Sequence, residues 1–174
     1  KFREAAPAEK ENAQPADGGS FSVVVFNESG AVRSDVAVLR ITSPALLFAD
    51  HLTNRGSLTA SAGLGSGINV NATRETAEPR HAGKVGGKSM WLSWTAPSSG
   101  IASFSTRGSD FDTLLAVYTG LSVDQLNLVA EDEDRGGFLT SQVSFNATNG
   151  IEYLIVVDGF AGASGNIVLG WSLD

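Results

Sequence analysis

The stretch Gly108–Gly120, GSDFDTLLAVYTG, decides the fold class. Phe111, Thr113, Leu115, Val117 and Thr119 alternate to one side, and Asp112, Leu114, Ala116 and Tyr118 to the other. Both sets are largely apolar, which predicts a central strand of a two-layer β structure rather than an edge. Asp112 stands at the entry of that strand, where a carboxylate needs hydrogen bonds or a cation to be tolerated. A second acidic run, Glu131–Asp134, follows one predicted strand later.

Working outward, short strands are expected at Ser57–Ser61, Ile68–Thr73, Lys88–Ala96, Gly100–Thr106, Phe111–Thr119, Gln125–Ala130, Leu139–Asn146, Glu152–Asp158 and Asn166–Ser172. Gly, Pro, Asn or Asp punctuates nearly every gap, so residues 44–174 read as an all-β jelly roll or β-sandwich. Alternation nominates Met90, Leu92, Trp94, Leu126, Leu128, Val143 and Phe145 for its core. Tyr153, Ile155, Val157, Ile167, Leu169 and Trp171 complete that set. Leu46–Leu52 reads as one or two helical turns, and the glycine-rich Gly63–Gly67 as a flexible turn.

The segment before the sandwich has a different character. Residues 1–19 are polar and lack a period, and read as an extended arm. The opening KFREAAPAEK suggests the interior of a longer chain or a processed product. Residues 20–43 hold two apolar runs, Phe21–Phe26 and Val36–Ile41, around the turn Asn27–Gly30. That is a β-hairpin with two apolar faces, and a lone hairpin is marginal in water. Phe21, Val23, Val25, Val38, Leu39 and Ile41 are therefore expected to be covered by a neighbouring domain or by another copy of the chain.

Composition narrows the function classes. The chain has 174 residues, enough to bury roughly 70% of its unfolded surface without a staple, and it has no cysteine. A net charge of −7 argues against nucleic acid and anionic membrane surfaces as partners. No apolar run approaches the ~20 residues of a membrane span. Asn27, Asn71 and Asn146 each open an Asn-x-Ser/Thr sequon, read either as coincidence or as the mark of a glycosylated extracellular protein.

Two resemblances rest on specific residues. ADGGSFSVVVFNESGAVRSDVAVLRI, residues 16–41, resembles the last two strands of a bacterial immunoglobulin-like domain. Asp17, Gly19 and Phe21 match that family's Asp-x-Gly-x-Tyr corner with Phe for Tyr, and Val23 stands where antibody-type members carry cysteine. NATRETAEPRHAGKVGGKSMWLSWTAPSSG, SDFDTLLAVYTG and YLIVVDGFAGASGNIVL resemble the bacterial pre-peptidase C-terminal domain family over roughly Phe48–Leu173. That resemblance implies a non-catalytic jelly-roll accessory domain of secreted enzymes or surface proteins. It also implies a calcium site near the domain's start in collagen-binding relatives, where Glu75 and Glu78 lie in a comparable segment.

The residues themselves allow a calcium reading. Ca2+ wants six to eight oxygens. Glu75, Glu78, Asp110, Asp112, Asp132 and Asp134 supply them if their loops meet at one end of the sandwich. The competing reading is that Asp112 caps a turn and that the acidic run is a solvated loop. His51 and His81 are too few for structural zinc, and His81 is expected to pack on Trp91 or to bond an acid. No nucleophile elbow, facing carboxylate pair or phosphate cradle is evident, so no enzyme activity is expected. Trp91 and Phe160 are the candidate sugar platforms, with Trp91 alternatively packed on the second face of a buried strand. The expected function is an extracellular structural or adhesive unit, self-assembling through its hairpin. The alternative is a calcium-dependent polysaccharide- or protein-binding module of a larger secreted enzyme.

Overall fold

A computed structural model describes residues 19–39 and 45–174, in two compact units that divide at Thr42/Ser43. Residues 1–18 of the expected arm, with Asp17 of the corner motif, and Ile41 lie outside the described residues, and Gly19 belongs to a strand. Each unit is all-β.

In the first unit, β1 (Gly19–Phe21) pairs with β4 (Ala37–Leu39), and β2 (Val24–Asn27) with β3 (Gly30–Arg33), all antiparallel. The turn is where the sequence places it, with the Ser29 N–H donating to Asn27 Oδ1 at 2.8 Å. The two runs are not single strands, however. Phe21 pairs with Ala37 and Val24 with Arg33, so two residues face three and a bulge interrupts the ladder. Ser34 fills the break: its N–H donates to Val23 O at 2.8 Å, and its Oγ accepts from Val23 N at 2.9 Å. The partner of Val24–Asn27 is thus Gly30–Arg33, while Ala37–Leu39 of the second run reaches back to β1.

The second unit contains β5 (Gly56–Leu58), β6 (Gly63–Ile68), β7 (Met90–Thr95), β8 (Gly100–Ser105), β9 (Thr113–Thr119), β10 (Asn127–Asp132), β11 (Gln142–Ala147), β12 (Glu152–Gly159) and β13 (Asn166–Leu173). One sheet runs β10-β9-β12-β7-β5 and the other β11-β8-β13-β6. With β5 set aside as an added parallel strand on β7, strands β6 to β13 have jelly-roll connectivity.

The sequence pattern explains which sheet is covered twice. QVSFNA in β11 alternates strictly, so Val143, Phe145 and Ala147 enter the core while Gln142, Ser144 and Asn146 face solvent. LLAVY in β9 and YLIVV in β12 are apolar without a break, and both of their faces are buried. Across the sheet, Val117, Ile155 and Leu92 form one inward row, packed with Trp94 and Phe104 between the sheets. Ala116, Val156 and Trp91 form the outward row, packed in a second cluster with Leu52, Tyr118 and Leu154. Trp91 is therefore buried in the second face of its strand, not displayed as a sugar platform.

Several expectations fail for identifiable reasons. Gly63–Gly67 is a strand rather than a turn, and the chain leaves the sheet after Ile68 instead of entering it there. Glycines 63, 65 and 67 share one face of β6, and an added Cβ would collide with Trp171, Leu46 and Phe48 respectively. Leu46–Leu52 is accordingly not helical, for its side chains follow a period of two. Ala45 bridges to Ser66 and Ala49 to Trp91, so the segment crosses from one sheet to the other with Leu46 and Phe48 packed against the core. Only Leu52–Asn54 forms a 3-10 turn. Leu128 is 52% exposed because a bulge between Leu128 and Ala130 reverses the phase of β10.

Replacing Gly65 by valine is expected to destabilise the sandwich by about 1–3 kcal/mol through overpacking against Leu46. Adding Leu46→Ala to Gly65→Val should recover part of that loss, a coupling that urea denaturation of the four-member cycle measures. Strictly additive effects would remove the steric explanation.

Candidate functional site

The outer face of the five-stranded sheet is covered largely by irregular chain, and such a cover must find partners for its backbone N–H groups. Carboxylates supply them. Asp158, 2% exposed, accepts from Lys88 N at 2.7 Å, Gly87 N at 3.0 Å and Gly159 N at 2.7 Å. A side chain at Gly86 would occupy the place of that carboxylate. Asp50 accepts from Thr73 N at 2.6 Å and Thr73 Oγ1 at 2.9 Å. Glu75 accepts from Leu52 N at 2.7 Å and meets His51 Nδ1 at 3.2 Å.

Glu78 is fully withdrawn from water with His81. Its Oε2 accepts from Glu75 N at 2.8 Å, and its Oε1 lies 2.7 Å from His81 Nε2. His81 Nδ1 lies 2.9 Å from the Tyr118 hydroxyl. The imidazole stands edge-on to Trp91 at 5.6 Å between centroids, so both contacts expected of His81 are present. Burial above all pushes the Tyr118 hydroxyl pKa well up, and the nearby Glu131 and Glu78 charges push the same way. Held neutral, Tyr118 bonds His81 through its hydroxyl. This chain of three polar groups lies beneath the surface and anchors the cover onto the sheet.

The six expected metal ligands therefore divide. Glu75 and Glu78 belong to the cover. Asp110 is spent on Asn166, accepting from its backbone N and its Nδ2, each at 2.6 Å. Asp132 closes its own loop, accepting from Arg135 N at 2.8 Å and Gln142 N at 2.9 Å. Only Asp112 and Asp134 are left near each other at the loop end, together with Glu133. Among the described residues, no three carboxylates or imidazoles converge as a metal-holding group. No protein-family model matches the chain, and no curated protein matches it.

The loop end is where charge is least balanced. Asp112 Oδ1 is buried without a hydrogen-bond partner. Burial, then the Asp134 and Glu133 charges, raise the Asp112 pKa above its ordinary 3.8, while Lys84 opposes the shift. The Lys84 ammonium is engaged by Glu133 at 2.6 Å, and that hydrogen bond and charge raise the lysine's own pKa. The three sequon asparagines, Asn27, Asn71 and Asn146, are all exposed. Phe160, the other candidate platform, is 38% exposed, with Lys84 Nζ 5.9 Å from its ring centroid.

Asp158 and Asn69 are loop-closing side chains that alternation does not reveal. Their signals are an acid that ends an apolar strand, IVVDG, and the Gly86–Gly87 pair that makes room for it. Buried Asn69 ties Gly165 N to its Oδ1 at 2.8 Å and donates to Lys88 O at 3.1 Å.

Asp158→Ala removes the acceptor of three N–H groups at once, one buried and two half-buried, and is expected to lower stability by about 3 kcal/mol, read by chemical denaturation. Asp112→Asn should behave oppositely. A carboxylate whose folded pKa is raised weakens the fold above its unfolded value, and the penalty vanishes once pH falls below both values. The asparagine variant should therefore melt higher than the parent at pH 7 and equal to it near pH 3. An equal gain at both pH values would mean that charge is not the cause.

Proposed function

We propose that the chain is a non-catalytic structural or adhesive unit of the extracellular surface, assembling with further copies of itself through its hairpin. The observation that carries this reading is the exposure of every residue in β1, β2, β3 and β4. Phe26 is 79% exposed and Val32 75%, on opposite faces of the ribbon, so neither face has a cover among the described residues. Among the described residues β2 pairs only with β3 and β1 only with β4, which leaves strand edges there open to addition. Gly19–Leu39 carries one arginine against two acids, so copies meet there with little charge repulsion. A contact made head to tail in this way extends into a filament when its rotation does not close. The jelly-roll connectivity of the second unit supports the resemblance to accessory domains, and that resemblance supports the extracellular setting.

Deleting residues 1–43 should leave a soluble monomer, because the sandwich core lies entirely within residues 43–174. The full chain should associate with rising concentration, and electron micrographs should show a regular repeat. If the truncated chain assembles like the full one, the hairpin is not the assembly element.

A further inference from the structure

Each sheet of the sandwich ends in two edge strands, and an exposed edge is a template for pairing unless something blunts it. β10 and β5 bound one sheet, β11 and β6 the other. Three of these edges are blunted. β5 has only three residues, and its Gly56 N donates to Leu47 O at 2.9 Å. β6 is met by the crossing segment, with Leu46 N donating to Ser66 O at 2.7 Å. β10 is broken by its bulge and ends in Glu131 and Asp132. β11 has six residues without a bulge, a proline or a charge, and among the described residues it pairs only with β8.

The phase of the ladder fixes which groups that edge leaves open. Thr106 N donates to Ser141 O at 3.0 Å, so by alternation Val143 and Phe145 bond β8, while Gln142, Ser144 and Asn146 turn their backbone groups away from it. Two flanking bonds agree: Gln142 N donates to Asp132 Oδ2 at 2.9 Å, and Thr148 N to the Tyr153 hydroxyl at 3.0 Å. Between them the N–H and C=O groups of Ser144 and Asn146 have no partner among the described residues, a state tolerated in water and rarely in the interior. The hairpin presents a matching row. Its Ser34 N donates to Val23 O at 2.8 Å, so the backbone groups of Val24 and Phe26 turn outward. Resting on the assembly reading above, we propose that β11 is the acceptor edge for β2 of another copy of the chain. The strands run antiparallel, with Val24 opposite Asn146 and Phe26 opposite Ser144, and each of these pairs exchanges two N–H···O bonds. Val25 falls opposite Phe145, on the face that points between the sheets, so a valine 51% exposed in the hairpin extends the row of Val143 and Phe145. Neither VVFN nor QVSFNA carries a charge, so in a chain of net charge −7 no carboxylate is desolvated by this contact.

The test follows assembly of the full chain by light scattering over a concentration series. Proline at an edge position whose N–H faces outward leaves the ladder on the other side intact. Ser144→Pro should therefore stay folded, as melting curves verify. It should need about tenfold or more protein to assemble, because it loses one docking donor and its ring obstructs the approaching strand. Ser144→Val loses only the hydroxyl contact with Ser103 and should assemble like the parent. The chain has no cysteine, so Phe26→Cys and Ser144→Cys placed together give a second readout. Opposed residues of that ladder lie about 5.5 Å apart, within disulfide reach. Oxidation should yield disulfide-linked multimers whose linked peptides, identified by mass spectrometry, join position 26 to position 144. The acceptor assignment is overturned if Ser144→Pro assembles like the parent, if Ser144→Val fails as Ser144→Pro does, or if no such link forms. Those outcomes leave the hairpin reading standing wherever the parent assembles and the truncated chain does not. A parent that stays monomeric at every concentration overturns both.

Discussion

The five-stranded sheet must be covered on both faces, and much of the rest follows from that. Its central strands β9 and β12 carry apolar side chains inward and outward, and a second layer of strands covers only the inner side. The outer side is closed by chain without regular structure, around Leu52 and His81. Irregular chain against an apolar sheet leaves N–H groups without ladder partners, and an unpaired buried N–H costs about 1–3 kcal/mol. The carboxylates of Glu75, Glu78 and Asp158 accept hydrogen bonds from such groups, and Asp50 does the same for the exposed Thr73 N–H. An acid-rich composition is thus partly a consequence of how the outer face is closed.

That same logic separates the acids that hold the fold from those left over. A carboxylate that accepts two or three backbone N–H bonds is committed, since withdrawing it strands its donors. Asp112 is different, for one of its oxygens is buried with no donor and its neighbours include Glu133 and Asp134. The hairpin is unsatisfied in another way, by apolar area and open strand edges rather than by charge.

Much of the sandwich was legible because strand faces follow a period of two. Leu92, Trp94, Val143, Phe145, Tyr153, Ile155, Val157, Ile167 and Leu169 are core residues as alternation requires. Alternation failed where one extra residue enters a strand, as at Leu128, and where glycine stands for absent volume. GLGSG carries no side chains with which to announce a strand, and its meaning lies in Leu46 and Phe48, about twenty residues upstream. The acids illustrate the limit most clearly. Spacing alone does not distinguish a ligand set from a set of loop clasps, because the deciding partners are backbone N–H groups remote in sequence.

By itself the sequence determined an all-β chain with a two-sided central strand, a separate hairpin, and a contact of His81 with Trp91 or an acid. These are local consequences of apolar periodicity and turn chemistry. Only the tertiary structure decided that Asp158 closes a loop seventy residues earlier, that Tyr118 completes the Glu78–His81 chain, and that Asp112 keeps an unpaired oxygen. The reason is physical: a carboxylate's role is set by which donors the fold brings to it, and those donors come from segments whose proximity no local pattern encodes.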